Sequence, residues 1–136
     1  MIPFLHFRGD CCAAFTLYRE VFGGHLELTR YGGAAVEAPG AGPHDRDRIF
    51  HAELRGDGWV LMGSDLTLGA PADPQMAVTV HHAVPDPHRA RTIFDALGAG
   101  GAPILHWSEN EFVPRGSGLV RDRFGTHWLI VARDRD

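Results

Sequence analysis

The chain has 136 residues, with 13 basic against 17 acidic side chains and a formal net charge of −4 with histidine neutral. That length predicts one domain, large enough to bury a core without a disulfide or metal staple. The acidic balance argues against nucleic acid or an anionic membrane as partner, because both reward a basic face.

Residues 3–8 (PFLHFR) alternate weakly, as a short first strand does. Asp10 then stands as an N-cap, with Ala14, Phe15, Tyr18, Val21 and Phe22 at helical spacing and Gly23-Gly24 as the stop. Residues 25–31 (HLELTRY) alternate as a second strand. Residues 32–47 are rich in Gly, Ala and Pro without a period, a long loop suited either to a binding lid or to a plain surface excursion. Residues 48–55 (RIFHAELR) and 59–64 (WVLMGS) flank Gly56-Asp57-Gly58, a hairpin signal. In the first of these strands Phe50, Ala52 and Leu54 are expected on one face, with Ile49, His51 and Glu53 on the other. Gly69, Pro71 and Pro74 mark a linker over residues 67–75.

The second half repeats the order. Residues 76–82 (MAVTVHH) read as a strand. Asp86 caps a helix with Pro87 at its first position, Ala90, Ile93, Phe94 and Leu97 as its stripe, and Gly98 as its end. Strands follow over 102–107, 117–121 and 126–132, the last two joined at residues 122–125 (DRFG), with an irregular stretch between 108 and 116. The fold class is therefore α+β: two βαβββ modules, residues 1–66 and 76–136, within a single domain. A four-stranded sheet with one amphipathic helix buries only the face the helix covers. The other faces are free to curl around a shared cleft, so the repeat predicts a pocket.

The only two cysteines, Cys11 and Cys12, are adjacent and staple nothing distant, which fits a reducing compartment. No apolar run approaches ~20 residues and no leader pattern is present, so a cytoplasmic location is expected.

Three passages, FRGDCCAAFTLYREVFGG, DRIFHAELRGDGWVLMGSD and LVRDRFGTHWLIV, make the chain resemble the glyoxalase/bleomycin-resistance (vicinal oxygen chelate) superfamily, and its PhnB-like branch above all. The resemblance implies modules that pair into a half-open, eight-stranded barrel, commonly in a homodimer with modules that can be exchanged between subunits. Catalytic members hold a divalent metal through His or Glu on four strands. The matching points here are Pro3, Ala77, Leu129 and the neighbourhood of Met62 and Gly63, none of which ligates through its side chain. Val113 and Arg123 depart from the branch pattern, where tryptophan and proline are usual. Some branch members carry a methyltransferase label, but no glycine-rich nucleotide loop follows a strand here.

His51 and Glu53 share a strand face and suit either the polar wall of a ligand cleft or, with a third ligand the sequence does not supply, a metal. The resemblance turns Thr79 and His81 towards the cleft and His82 outward, and gives His127 the same side as Leu129 and Val131. Trp107 and Phe112 could wall a planar ligand, whereas Phe7 reads as core. Arg115 is expected to be solvated, although it could meet an anion. The ligand-binding set is thus His51, Glu53, Thr79, His81, Trp107, Phe112, His127 and Leu129, with no catalytic residue assigned and no cofactor expected. The expected function is binding of a small, partly aromatic ligand without the usual metal site. The alternative is a metal-dependent lyase, isomerase or dioxygenase with a displaced site around His51, Glu53 and His81.

Overall fold

Two helices, each lying across a sheet of four strands, account for the core of a computed structural model that describes residues 1–33, 42, 45–66, 75 and 77–134. The chain divides into two compact units, Met1–Asp73 and Pro74–Asp136. The first holds β1 (Phe4–Phe7), α1 (Cys11–Phe22), β2 (His25–Arg30), β3 (Ile49–Gly56) and β4 (Trp59–Asp65). The second holds β5 (Thr79–Val84), α2 (Pro87–Gly98), β6 (Ala102–Ser108), β7 (Ser117–Arg121) and β8 (His127–Ala132). Both sheets are mixed and share one plan: β1-β4-β3-β2 and β5-β8-β7-β6, with the parallel pair made by the first and last strands of the unit. The linker expected over residues 67–75 lies outside the described residues except for Gln75, and so does most of the loop over 32–47.

α1 buries Ala14, Phe15, Tyr18 and Val21 against its sheet, as the spacing predicts, together with Cys11 and Leu17, which the predicted stripe omits, while Phe22 is half-buried. Its start differs from expectation. Asp10 makes no side-chain cap; Asp65, at the end of β4, does the work from a distance. Asp65 Oδ1 accepts from the amides of Gly9 (2.8 Å) and Cys11 (3.0 Å), and Oδ2 accepts from Ile49 N (2.8 Å). α2 follows the expected pattern, with Asp86 Oδ1 accepting from His88 N at 3.0 Å and Pro87 in the first turn. It continues through Gly98, however, and the left-handed glycine is Gly100 (φ 76°).

A second departure lies in β3. Thr29 pairs with His51 but Arg30 pairs with Ile49, so Phe50 is an extra residue in the ladder. Such a bulge resets the alternation, and Ile49 turns into the core with Ala52 and Leu54, all three fully buried. Phe50 is left half-buried, edge-on to Tyr31 at 5.5 Å. Finally, β5 begins at Thr79 rather than Met76 and runs to Val84, because its partner β8 starts at His127 and the two pair residue for residue from Thr79↔His127 to Val84↔Ala132.

Candidate functional site

With one face of each sheet taken by its helix, alternation leaves every second residue for the other face. In the first unit that helix-free face carries Phe4 and His6 from β1, His51 and Glu53 from β3, and Met62 and Ser64 from β4. The register sets them side by side: Phe4 against Met62, His6 against Ser64, Glu53 against Met62. The Phe4 ring lies 5.2 Å from His6 and 6.0 Å from His51, and Ser64 Oγ stands 3.5 Å from His6 Nδ1. Glu53 is already engaged, since Oε2 accepts from Arg55 Nε at 2.7 Å. Phe4, His6 and Ser64 were not singled out by sequence reasoning, although the alternation of residues 3–8 contains the signal.

In the second unit the register builds two adjacent rows on the helix-free face. Thr79, His127 and Arg121 form one, and His81, Leu129, Leu119 and Leu105 form the other. Four of the expected binding residues, Thr79, His81, His127 and Leu129, therefore stand together. His82 pairs with Ile130, whose side chain is buried, and so belongs to the helix side. The remaining expected residues stand apart. The Trp107 ring lies 5.6 Å from Phe94 of α2, with the Arg91 guanidinium 6.0 Å away, which puts it on the helix-covered side. Phe112 is 86% exposed in a turn that Asn110 Oδ1 holds by accepting from Phe112 N and Val113 N. Arg115 is occupied structurally: it donates to the Pro85 carbonyl (3.0 Å) and pairs with Asp134 (3.3 Å).

His81 titrates below the ordinary histidine range, first because burial disfavours its charged form and then because Arg133 repels a second cation. Since the unfolded chain takes that proton more readily, His81 weakens stability as pH falls through the ordinary histidine range, and above it the effect vanishes. At neutral pH it is an uncharged neighbour of Leu129.

The positions at which the resemblance would put metal ligands, Pro3, Ala77, Leu129 and the neighbourhood of Met62 and Gly63, carry no His, Cys, Asp or Glu. Among the described residues no group of three or more His, Cys, Asp or Glu side chains could hold one. Nor is Cys11 a poised nucleophile. It is fully buried, and burial, with the Asp65 charge behind it, pushes its thiol far above the ordinary range. Titration of the folded protein with a disulfide reagent at pH 8 is therefore expected to modify Cys12 alone, and Cys11 only after unfolding. Two thiols reacting at equal rates would contradict the buried position.

No family model matches the sequence. The chain is 29% identical to protein YjdN of Escherichia coli K12 over 136 residues, covering 94% of this chain and 91% of YjdN. Among solved structures, protein PA1353 from Pseudomonas aeruginosa superposes with a TM-score of 0.86 at 28% identity, covering 99% of this chain and 98% of that one. The PhnB protein from Bacillus cereus gives 0.67 at 21% identity, over 97% of this chain and 98% of that one. The bleomycin-binding protein of Streptomyces verticillus gives 0.58 at 18%, over 98% and 95%. The chain thus shares its fold with PhnB and bleomycin-binding proteins, as the resemblance implied. PA1353 and YjdN are similar to it at just under 30% identity along nearly the whole chain.

Proposed function

We propose that this protein is a cytoplasmic homodimer that binds a small, partly aromatic molecule over the helix-free face of the second unit's sheet, without the superfamily's metal site. The carrying observation is the second unit's pair of rows, where Leu105, Leu119 and Leu129 make an apolar strip beside Thr79 and His127. Leu105 is 62% exposed, and its continuity with Leu119 and Leu129, rather than its exposure alone, marks the strip as a binding surface. An apolar floor with a few polar groups at its edge is the composition of small-molecule sites. That a neighbour in fold is a bleomycin-binding protein lends the reading further support.

The test is a titration of isotope-labelled protein with a panel of small aromatic compounds, followed by amide chemical shifts. The expected result is saturable shifts concentrated at Thr79, His81, Leu119 and Leu129. Shifts confined to the helix sides, or none at all across the panel, would overturn the proposal. The same sample should show twice the 14.9 kDa chain mass by light scattering. Metal analysis of protein made without a histidine tag should return far less than one equivalent.

A further inference from the structure

Three consecutive members of the row beside the leucines can donate hydrogen bonds before it ends at Ala102, the partner of Arg121, and this identifies the kind of ligand it suits. β8 places His127 between Thr79 of β5 and Arg121 of β7, each its direct cross-strand partner. His127 Nδ1 is shut off from solvent and has no hydrogen-bond partner among the described residues. An N–H buried without an acceptor is rarer and costlier than a lone pair buried without a donor. In its neutral form the ring therefore keeps its proton on Nε2, which makes the other nitrogen a donor.

Arg121 is exposed, and among the described residues neither Arg121 nor Arg123 takes part in an ion pair. The acid between them in sequence faces inward. Asp122 is buried, with Oδ1 accepting from Phe124 N (2.9 Å) and Thr126 N (3.0 Å) and Oδ2 from Trp128 Nε1 (2.9 Å). Arg121 and Ala102 also border a groove of about 340 Å³, with the glycine pair Gly100-Gly101 and Arg123 on its other sides. A hydroxyl, an imidazole N–H and a guanidinium in one line, beside a groove where the Arg123 guanidinium stacks on Phe124 at 5.0 Å, suit a group rich in acceptors.

We infer that the Thr79–His127–Arg121 row takes the anionic group of the ligand, so that the ligand class is a small carboxylic acid with an aromatic or branched apolar body lying over Leu129, Leu119 and Leu105. This rests on the proposed function and narrows it. The carboxylate meets Arg121 in a forked pair and accepts from His127 Nε2, while the apolar body covers the leucine row.

Calorimetric titrations of the full chain with benzoate, phenylacetate and 2-naphthoate, each against its neutral amide at pH 7.5, test the assignment. The best-bound acid is expected to bind about tenfold more tightly than its amide, the effect of one partly exposed charge-assisted contact. Arg121→Gln should bring acid and amide to near-equal affinity by weakening the acid much more than the amide. Arg91→Gln, on the helix-covered side, should preserve the tenfold preference. Acid and amide binding equally to the unaltered protein would overturn the carboxylate assignment and leave the binding function standing. No binding of any acid or amide would overturn both, and a preference that survives Arg121→Gln would remove Arg121 from the site.

Discussion

Replacement of Asp65 by alanine is expected to lower the free energy of unfolding by about 3–5 kcal/mol, read as a fall in the urea midpoint at unchanged slope. The carboxylate is 1% exposed and accepts from three backbone amides, those of Gly9, Cys11 and Ile49. Those amides belong to segments far apart in sequence: the turn into α1 and the first residue of β3. Tyr31 adds a fourth tie by donating its hydroxyl to the Asp65 carbonyl at 2.7 Å. A methyl group in place of the carboxylate leaves the buried amides of Cys11 and Ile49 without an acceptor, each costing about 1–3 kcal/mol, while the part-buried amide of Gly9 can turn to water. Asp65→Asn is the gentler variant. Its oxygen can still serve two of the amides, but its NH2 must face the third, so about half the loss is expected. If the alanine variant unfolds at the parent midpoint, α1 does not depend on this anchor.

The same residue shows where sequence reasoning stops. Local chemistry reads Asp10 and Asp86 as equivalent caps, because each precedes an amphipathic run. Only Asp86 behaves so, since its acceptor and the amide it serves are two residues apart. The cap of α1 comes from a residue more than fifty positions away, and nothing in a window around Asp10 contains it. Helices and strands were legible because their period is local: Phe15 and Tyr18 in one, Trp128 and Ile130 in the other, point as their spacing requires. Ile49 departs from expectation for a second reason, since a bulge shifts the alternation by one and residues 48–55 carry no mark of it. The site divides along the same line. Thr79 alternates with His81, and His127 with Leu129, which the sequence displays. It is the resemblance that turns Thr79 and His81 to the cleft, and the β5–β8 pairing that sets the four side by side. Arg121 and Leu105 join them only through strand pairing, and Trp107 leaves them because two register shifts in β6 coincide with its packing on Phe94.

The largest packing effect is expected at Phe15, whose replacement by alanine should cost about 3–5 kcal/mol. The ring is fully buried and meets Phe7 edge-on at 6.2 Å and Tyr18 at 5.5 Å. Beneath it lies Gly63 of β4, where an added Cβ would come to 2.7 Å from the ring and 2.9 Å from the Leu5 carbonyl oxygen. α1 can approach its sheet this closely only because β4 has no side chain at that point. Gly63→Ala is therefore expected to destabilise by about 1–3 kcal/mol through overpacking. Phe15→Leu removes the rim of the ring that collides with the new methyl, and it should cost less in the Gly63→Ala background than in the parent, a favourable coupling of about 1 kcal/mol. Full rescue is not expected, because the Leu5 oxygen belongs to the backbone and cannot move aside. A double variant whose loss equals the sum of the single losses would mean that Gly63 is required by the β1–β4 pairing rather than by the ring.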